Sequence, residues 1–175
     1  MGHVMIKQKG VGLIEVLVSL FILAMGVLGF SALQIRALDA SSESVSKLQA
    51  MNLARDLSEK IRANPESYEI YASKLNENQQ VSSAKSCIQT GTTKPCATLD
   101  EFVAFDTSDV VKTAKRLGMQ IKIPNCQVIA SGQNRRCIYI AWDETKPIDH
   151  ATDNQACTNK GSYLPQAKCV VMELY

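Results

Sequence analysis

The chain has 175 residues and a mass of 19.2 kDa, which fits one domain with one additional segment. Its 19 Lys+Arg and 17 Asp+Glu residues leave a net charge of +2, which argues against a nucleic-acid-binding domain with a basic stripe and against an acidic disordered tail. Apolar residues are concentrated near the N-terminus, whereas all six cysteines lie from Cys87 onward. The chain therefore combines two segments of different composition.

An apolar run at residues 11–33 predicts a membrane-spanning helix, with one charge at Glu15 and polar interruptions only at Ser19 and Ser31. About 20 apolar residues in a helix cross a bilayer core of roughly 30 Å. Lys7 and Lys9 precede the run, and positive residues keep that end in the cytoplasm while the rest crosses the membrane. A secretory signal cleaved after Gly26 is the alternative; the apolar run continues past that point, and a carboxylate in the signal argues against it.

Glu15 requires a partner, because an ionised carboxylate within a membrane segment costs about 2.5–3.5 kcal/mol on insertion scales. The chain has no Lys or Arg between Lys9 and Arg36. A cut after Gly10 would create a positive α-amino group at Val11, one helical turn from Glu15 in the same chain or in a neighbour. The structural alternative is a Glu15 that reaches the interface and has no role.

The sequence KGVGLIE at residues 9–15, followed by the apolar run, resembles the type IV prepilin motif. The resemblance implies that a membrane aspartyl peptidase cuts after Gly10 and N-methylates Val11, and that Glu15 pairs with a neighbouring subunit's N-terminus. Val11 and Gly12 depart from the Phe and the Thr or Ser that are common at these positions. No proline precedes Pro65, which disfavours a major subunit.

Residues 13–34 and the sequence LARDLSEKIRANP at 53–65 are similar to the PilV type of minor pilin. This resemblance implies a structural subunit, not an enzyme, that enters type IV pili and helps to initiate their assembly, with roles in twitching motility, adhesion and DNA uptake. The implied partners are other minor and major pilins, the prepilin peptidase and a tip adhesin. The implied location is the inner membrane with a periplasmic head, and then the pilus at the cell surface.

No Pro or Gly interrupts residues 35–63, so the helix is expected to continue to Ala63, about 80 Å in all. The apolar positions on its expected buried face are Leu38, Val45, Leu48, Leu53, Leu57 and Ile61, together with Ala50 and Ala54. Asn64 and Pro65 mark its end. The predicted organisation is a cleaved leader (1–10), a transmembrane half of the helix (11–34), an amphipathic half (35–64) and a globular head (65–175).

The head is predicted to be stapled by disulfides, because the cysteines are even in number and contain no Cys-x-x-Cys. That pattern disfavours zinc and thioredoxin chemistry, and it requires an oxidising compartment. Six cysteines allow 15 pairings, and the sequence does not choose among them. Nearest-neighbour pairing is the preferred hypothesis, namely Cys87–Cys96, Cys126–Cys137 and Cys157–Cys169.

The elements predicted in the head are helices and a small antiparallel sheet, which gives the α+β class that the pilin resemblance also implies. A helix at 66–75 precedes a loop at 76–99, and a second helix is expected to begin at Asp106-Thr107-Ser108 and to end at Gly118. Strands are predicted at 119–123, 136–142 and 168–174. Residues 131–134 are expected to turn the first two strands into a hairpin, with 127–130 lengthening one arm, and Tyr139 and Trp142 to face opposite sides.

The sequence contains few candidates for chemistry, and neither a cofactor nor a metal is expected. The acidic cluster is predicted to be a solvated loop and not a cation site; its members are Asp143, Glu144, Asp149, His150 and Asp153. No phosphate-binding loop or nucleophile elbow is present. Two alternative functions remain, a minor pseudopilin of a type II secretion system and a membrane-anchored periplasmic binding module with an uncut leader.

Overall fold

The computed structural model describes residues 10, 12–77, 80–81, 84–88, 95–126 and 135–174. Its contacts divide the chain into two units, with the boundary between Ser44 and Val45. Helix α1 (Leu13–Ala63) contributes residues to both units. The predicted end of this helix at Ala63 is confirmed, since Asn64 leaves helical geometry before Pro65. The serine-rich stretch stays helical, and the hydroxyls of Ser42 and Ser44 donate to carbonyls of the preceding turn, at 2.9 Å.

In the second unit, the C-terminal part of α1 buries a face that is narrower than predicted. The buried apolar residues of α1 are Ala50, Leu53, Ala54, Leu57 and Ile61. Leu38 belongs to the first unit, and Val45 and Leu48 are exposed, so these three do not contribute to the core as predicted. Leu48 precedes Leu57 by nine residues, about two and a half turns, which turns it to the opposite side of the helix.

Two further helices follow α1, and one of them begins earlier than predicted. A 3₁₀ turn (Pro65–Ser67) leads into α2 (Tyr68–Asn76), close to the predicted helix. Helix α3 (Leu99–Arg116) begins at Leu99 and not at Asp106, because Thr98 caps it by accepting a hydrogen bond from the Glu101 amide at 3.2 Å. It ends as predicted before Gly118, whose φ of 68° suits a residue without Cβ.

Asp106, Thr107 and Ser108, which were predicted to start a helix, make hydrogen bonds inside α3. The hydroxyls of Thr107 and Ser108 donate to carbonyls within the helix, at 2.7 and 2.8 Å. Asp106 is buried and accepts a hydrogen bond of 2.7 Å from the Tyr71 hydroxyl of α2. This contact between distant residues links α2 to α3, and local turn chemistry gives no indication of it.

The first sheet confirms the predicted antiparallel strands. Its strands are β1 (Met119–Lys122), β2 (Arg136–Trp142) and β6 (Cys169–Leu174), in the order β1-β2-β6. Antiparallel pairing of β1 with β2 confirms the hairpin relationship. The expected turn at 131–134 and the extension at 127–130 lie outside the described residues.

A second sheet takes one member of the predicted acidic loop, Asp149, into a strand. It consists of β3 (Lys146–Asp149), β4 (Ala156–Asn159) and β5 (Ser162–Tyr163). Strands β3 and β4 are parallel, and β4 turns back into β5 through Lys160 and Gly161, both with positive φ. The loop prediction holds for Asp143, Glu144, His150 and Asp153, and it was wrong for Asp149 because β3 is too short to show an alternating pattern.

Strand β2 is buried on both faces and so separates two clusters of side chains. Ile138, Ile140 and Trp142 join the core that the helices cover. Cys137, Tyr139 and Ala141 lie on the other face, with the two cysteines of β4 and β6. The prediction that Tyr139 and Trp142 face opposite sides is confirmed, and both are buried. The α+β class is likewise confirmed.

We expect three of the five tyrosines to ionise late in an alkaline titration. Burial raises the pKa of Tyr68 to about 12, and burial also raises the pKa of Tyr71 and Tyr139 above the usual 10.0. The fold favours the neutral phenols of these tyrosines. Their contribution to the free energy of unfolding is therefore fully present below pH 10.0 and is lost as the pH rises through the pKa values of the folded state. Ultraviolet absorbance of phenolate, with circular dichroism as a record of unfolding, checks this.

The control for this titration is Tyr71→Phe, which should remove one late-ionising phenol. Ionisation of all five tyrosines together near pH 10.0, with the protein still folded, would contradict the expected burial.

Candidate assembly site

The N-terminal end of α1 is built around a backbone turn at Gly12. The Gly12 carbonyl accepts hydrogen bonds from the amides of Glu15 and Val16, at 2.9 and 3.4 Å, and these bonds start the helix. Glu15 lies in the first turn, where the positive end of the helix dipole favours a carboxylate. Gly10 and Glu15 are both exposed, and Val11 lies outside the described residues. The site therefore presents an accessible carboxylate close to the start of the helix.

The helical surface on both sides of Glu15 in the chain, from Leu13 to Leu33, is predominantly apolar. Leu13 is 80% exposed and Leu28 is 71% exposed, and no residue of the most apolar 18-residue window of α1 is buried. The large apolar side chains exposed along this stretch are Leu13, Ile14, Val16, Leu17, Val18, Leu20, Phe21, Ile22, Leu23, Met25, Val27, Leu28, Phe30 and Leu33. A helix that is apolar all round requires lipid or other helices around it.

By length and composition, α1 is the one helix within the described ranges that could span a membrane. A signal sequence near the N-terminus would satisfy the same criterion of length and composition. The distinction between the two therefore depends on the sequence around Gly10 and Glu15.

The two serines of the apolar stretch satisfy their own polar groups. Ser19 donates to the carbonyl of Val16 and Ser31 donates to that of Val27, both at 2.9 Å. Such bonds within the helix let a hydroxyl lie in hydrocarbon. Among the residues that the structure describes, none forms a hydrogen bond or an ion pair with the Glu15 carboxylate. The polar requirement of this stretch is thus concentrated in Glu15.

The acidic cluster of the head is occupied by internal bonds. The Asp149 carboxylate accepts hydrogen bonds from Thr158 Oγ1 at 2.7 Å and from the amides of Lys160 and Gly161 at 3.0 and 2.7 Å. Thr158 Oγ1 also lies 3.0 Å from the Tyr139 hydroxyl. Asp149 therefore anchors the β4–β5 turn and links it to β2, a role that the sequence analysis missed.

Three other members of the cluster also have partners. Asp143 pairs with Lys168 at 2.7 Å and Asp153 pairs with Lys146 at 2.9 Å. Lys146 is the main cause of a lowered pKa of Asp153. His150 Nδ1 accepts from the amide of Asp153 at 3.2 Å. Within the described ranges, no group of three or more His, Cys, Asp and Glu is placed to hold a metal ion.

The structure joins all six cysteines in three disulfides, and these are the nearest-neighbour pairs. The bonds are Cys87–Cys96, Cys126–Cys137 and Cys157–Cys169. The first closes the connection between α2 and α3, the second lies at the base of the β1–β2 connection, and the third joins β4 of one sheet to β6 of the other. The last bond thus supports the contact between the two sheets.

Comparison with protein families identifies two adjoining regions. Residues 5–31 match the prokaryotic N-terminal methylation motif, and residues 32–108 match the type IV pilin Tt1218 family. A search of curated proteins and a search of solved structures each gave no significant match. The two family matches follow each other without a gap and include Gly10, Glu15 and the whole of α1. The methylation motif, the apolar helix and the stapled α+β head therefore place this chain in the type IV prepilin family, as a pilin subunit.

Proposed function

We propose that this pilin is a minor subunit of the PilV type, which enters type IV pili and helps to initiate their assembly. The observation that supports it is the exposed Glu15 carboxylate in the first turn of a helix whose surroundings are otherwise apolar. Such a helix is stable in lipid or between the helices of a filament. Its carboxylate favours the filament if a positively charged partner is available there.

Processing supplies that cation. Cleavage after Gly10 frees the α-amino group of Val11, and N-methylation of Val11 leaves a positively charged amine. A neighbouring subunit's amine at about 4 Å from Glu15 would be attracted by about 4 kcal/mol at an effective dielectric constant near 20. The pairing offsets the cost of burying both charges and fixes the register of adjacent helices.

The proposed organisation follows from this role. Residues 1–10 are the leader that the prepilin peptidase removes, and residues 11–34 lie first in the inner membrane and then in the filament core. Residues 35–64 continue the helix, and residues 65–175 form the head, which is periplasmic before assembly and at the cell surface afterwards. The head contacts other minor and major pilins and is a candidate binding surface for a tip adhesin, in pili that serve twitching motility, adhesion or DNA uptake.

The intact mass and the N-terminal sequence of the protein extracted from its native membranes test the first step. We expect a chain that begins at N-methylated Val11. A chain that begins after Gly26 would be a secreted protein, and a chain with its leader intact would be a static anchor, as in a periplasmic binding module. Either result would contradict the proposal.

Deletion of the gene separates the pilus from a secretion system. We expect the deletion strain to lose surface pili and to secrete its enzymes normally. Retained pili with a defect in secretion would instead assign the chain to a type II system as a minor pseudopilin.

A further inference from the structure

The first sheet has two edges, and the chain covers them to different extents. Strands β1 and β6 form these edges, with β2 between them. An edge strand presents backbone amides and carbonyls that point away from the sheet, and proteins normally cover or blunt such an edge. An edge with a weak cover is therefore a place where an extended chain can bind.

Side-chain amides close the edge at β1. Asn76, the last residue of α2, bonds to both backbone groups of Ile123, directly after β1: its Nδ2 donates to the carbonyl at 2.8 Å and its Oδ1 accepts from the amide at 2.9 Å. Gln80 Nε2 donates to the carbonyl of Ile121, and both isoleucines are fully buried. These side chains take the position of a neighbouring strand, so another chain has no access here.

The register of β6 decides which of its backbone groups face outward. The Trp142 amide donates to the Lys168 carbonyl at 3.0 Å, and bonded pairs alternate along an antiparallel ladder, so the even-numbered residues of β6 bond to β2. The amides and carbonyls of Cys169, Val171 and Glu173 therefore point away from β2. Among the strands within the described ranges, β2 is the sole neighbour of β6.

Tyr163 of β5 covers the centre of this outer edge. The Val171 amide donates to the Tyr163 hydroxyl at 3.0 Å, and Tyr163 is 55% exposed. The hydroxyl lies where a carbonyl of an added strand would accept the same bond. Because an exposed phenol can bond to water instead, an incoming strand can displace it at little cost.

The charges beside β6 already have partners of opposite sign. Lys168 pairs with Asp143 at 2.7 Å near one end of the strand, and Glu173 pairs with Arg135 at 2.8 Å near the other. Residues 170–172 between them are apolar and partly exposed. This edge therefore suits an extended strand with uncharged, apolar side chains better than a charged one.

We propose that the outer edge of β6 binds an extended apolar segment from the head of a neighbouring pilin. The segment adds a fourth strand to the three-stranded sheet and replaces the Tyr163 hydroxyl at the Val171 amide. The inference rests on the proposed assembly into pili, which holds the heads next to each other and so raises the effective concentration of the neighbouring strand. Main-chain bonds supply the affinity, and the apolar side chains supply the selectivity.

Two substitutions at this edge should change the release of the subunit from sheared pili in opposite directions. Val171→Pro removes the outward amide and no bond to β2, and proline is accepted in edge strands. We expect this variant to leave the pili about tenfold faster in mild detergent, as for the loss of one hydrogen bond. Tyr163→Phe removes the hydroxyl that competes for the amide, so release should be about fivefold slower. Immunoblots of the pelleted pili over time measure both rates.

Val171→Thr is the control for the proline variant, because it keeps the amide and the branched shape of the side chain. It should be released as the wild type is. Equal acceleration by Thr and by Pro would assign the effect to the side chain and would contradict strand addition. If Val171→Pro fails to fold, as a loss of its disulfides would reveal, the slower release of Tyr163→Phe still decides the question.

Replacement of Tyr163 by the photoreactive residue p-benzoylphenylalanine identifies the occupant in intact pili. We expect the crosslinked peptide, sequenced by mass spectrometry, to be an apolar segment from the head of another pilin. Crosslinking to β6 of a second copy, or no crosslink to protein, would overturn the proposal, as would wild-type release rates for both edge variants. Absence of the wild-type chain from pili would instead overturn the proposed function, so the two failures are distinguishable.

Discussion

Glu15→Gln is expected to lower incorporation into pili by about a hundredfold and to leave membrane insertion intact. In the filament, the substitution removes the negative partner of a neighbour's α-amino group. The positive charge of that amine is then buried without a partner, and its free-energy cost corresponds to about a hundredfold fall in incorporation. Insertion is preserved because a neutral amide enters the bilayer at lower cost than a carboxylate. The measurement is the ratio of the subunit in sheared pili to the subunit in membranes, by quantitative immunoblot.

The control for this variant is Asp39→Asn. It removes an exposed carboxylate from the same helix, outside the apolar stretch, and it should assemble as the wild type does. Normal incorporation of Glu15→Gln, with correct processing at Gly10, would refute the pairing of Glu15 with an N-terminus. Failure of both variants would point to a general defect of α1.

Asp149→Ala is expected to destabilise the head by about 3 kcal/mol, since bonds to a charged acceptor contribute about 1.5–3 kcal/mol each and act together here. The substitution removes the acceptor for Thr158 and for the amides of Lys160 and Gly161. Thr158 is buried, so its hydroxyl keeps only Tyr139 as a partner. Urea unfolding of the full chain in detergent, followed by tyrosine and tryptophan fluorescence, measures the change.

Asp143→Asn is the control, because the Asp143 carboxylate is half exposed and pairs with Lys168 at the surface, and Asn tolerates the positive φ of 59° at this position. Surface pairs contribute at most about 1 kcal/mol, so we expect a small effect. Equal losses for the two variants would contradict the special role of Asp149. The two substitutions together distinguish an anchor of the β4–β5 turn from a general response to lost charge.

The sequence predicted those parts of the fold that arise from long or local patterns. The helix to Ala63 follows from an uninterrupted run, and strand β2 follows from a β-rich segment with identical bounds in the structure. The start of α3 was placed seven residues late because Asp106, Thr107 and Ser108 resemble a cap. Their real partners include Tyr71, 35 residues away in the chain, and such contacts leave no local signal.

The second sheet was missed for a related reason. Strand β5 has only two residues. Strands β3 and β4 are parallel, and the turn residues that predict a hairpin indicate only antiparallel pairs. The β4–β5 turn of this sheet is anchored by Asp149. Because the residues around Asp149 in the sequence are acidic and polar, it was predicted to be part of a solvated loop. For the assembly site, Glu15 was identifiable because a charge in an apolar run stands out. The bonds of Ser19 and Ser31 to their own helix required the structure.

These two serines have a consequence for the reversibility of the filament. Since each hydroxyl keeps its partner inside the helix, moving the helix from lipid to a packed bundle exchanges one apolar solvent for another, with no hydrogen bond to break on the way. Among the described polar side chains of this stretch, Glu15 alone would have a different environment in the membrane and in the filament. Under the pairing proposed above, Glu15 therefore contributes the electrostatic part of the balance between stored and assembled subunits, and the packing of helices and heads contributes the rest.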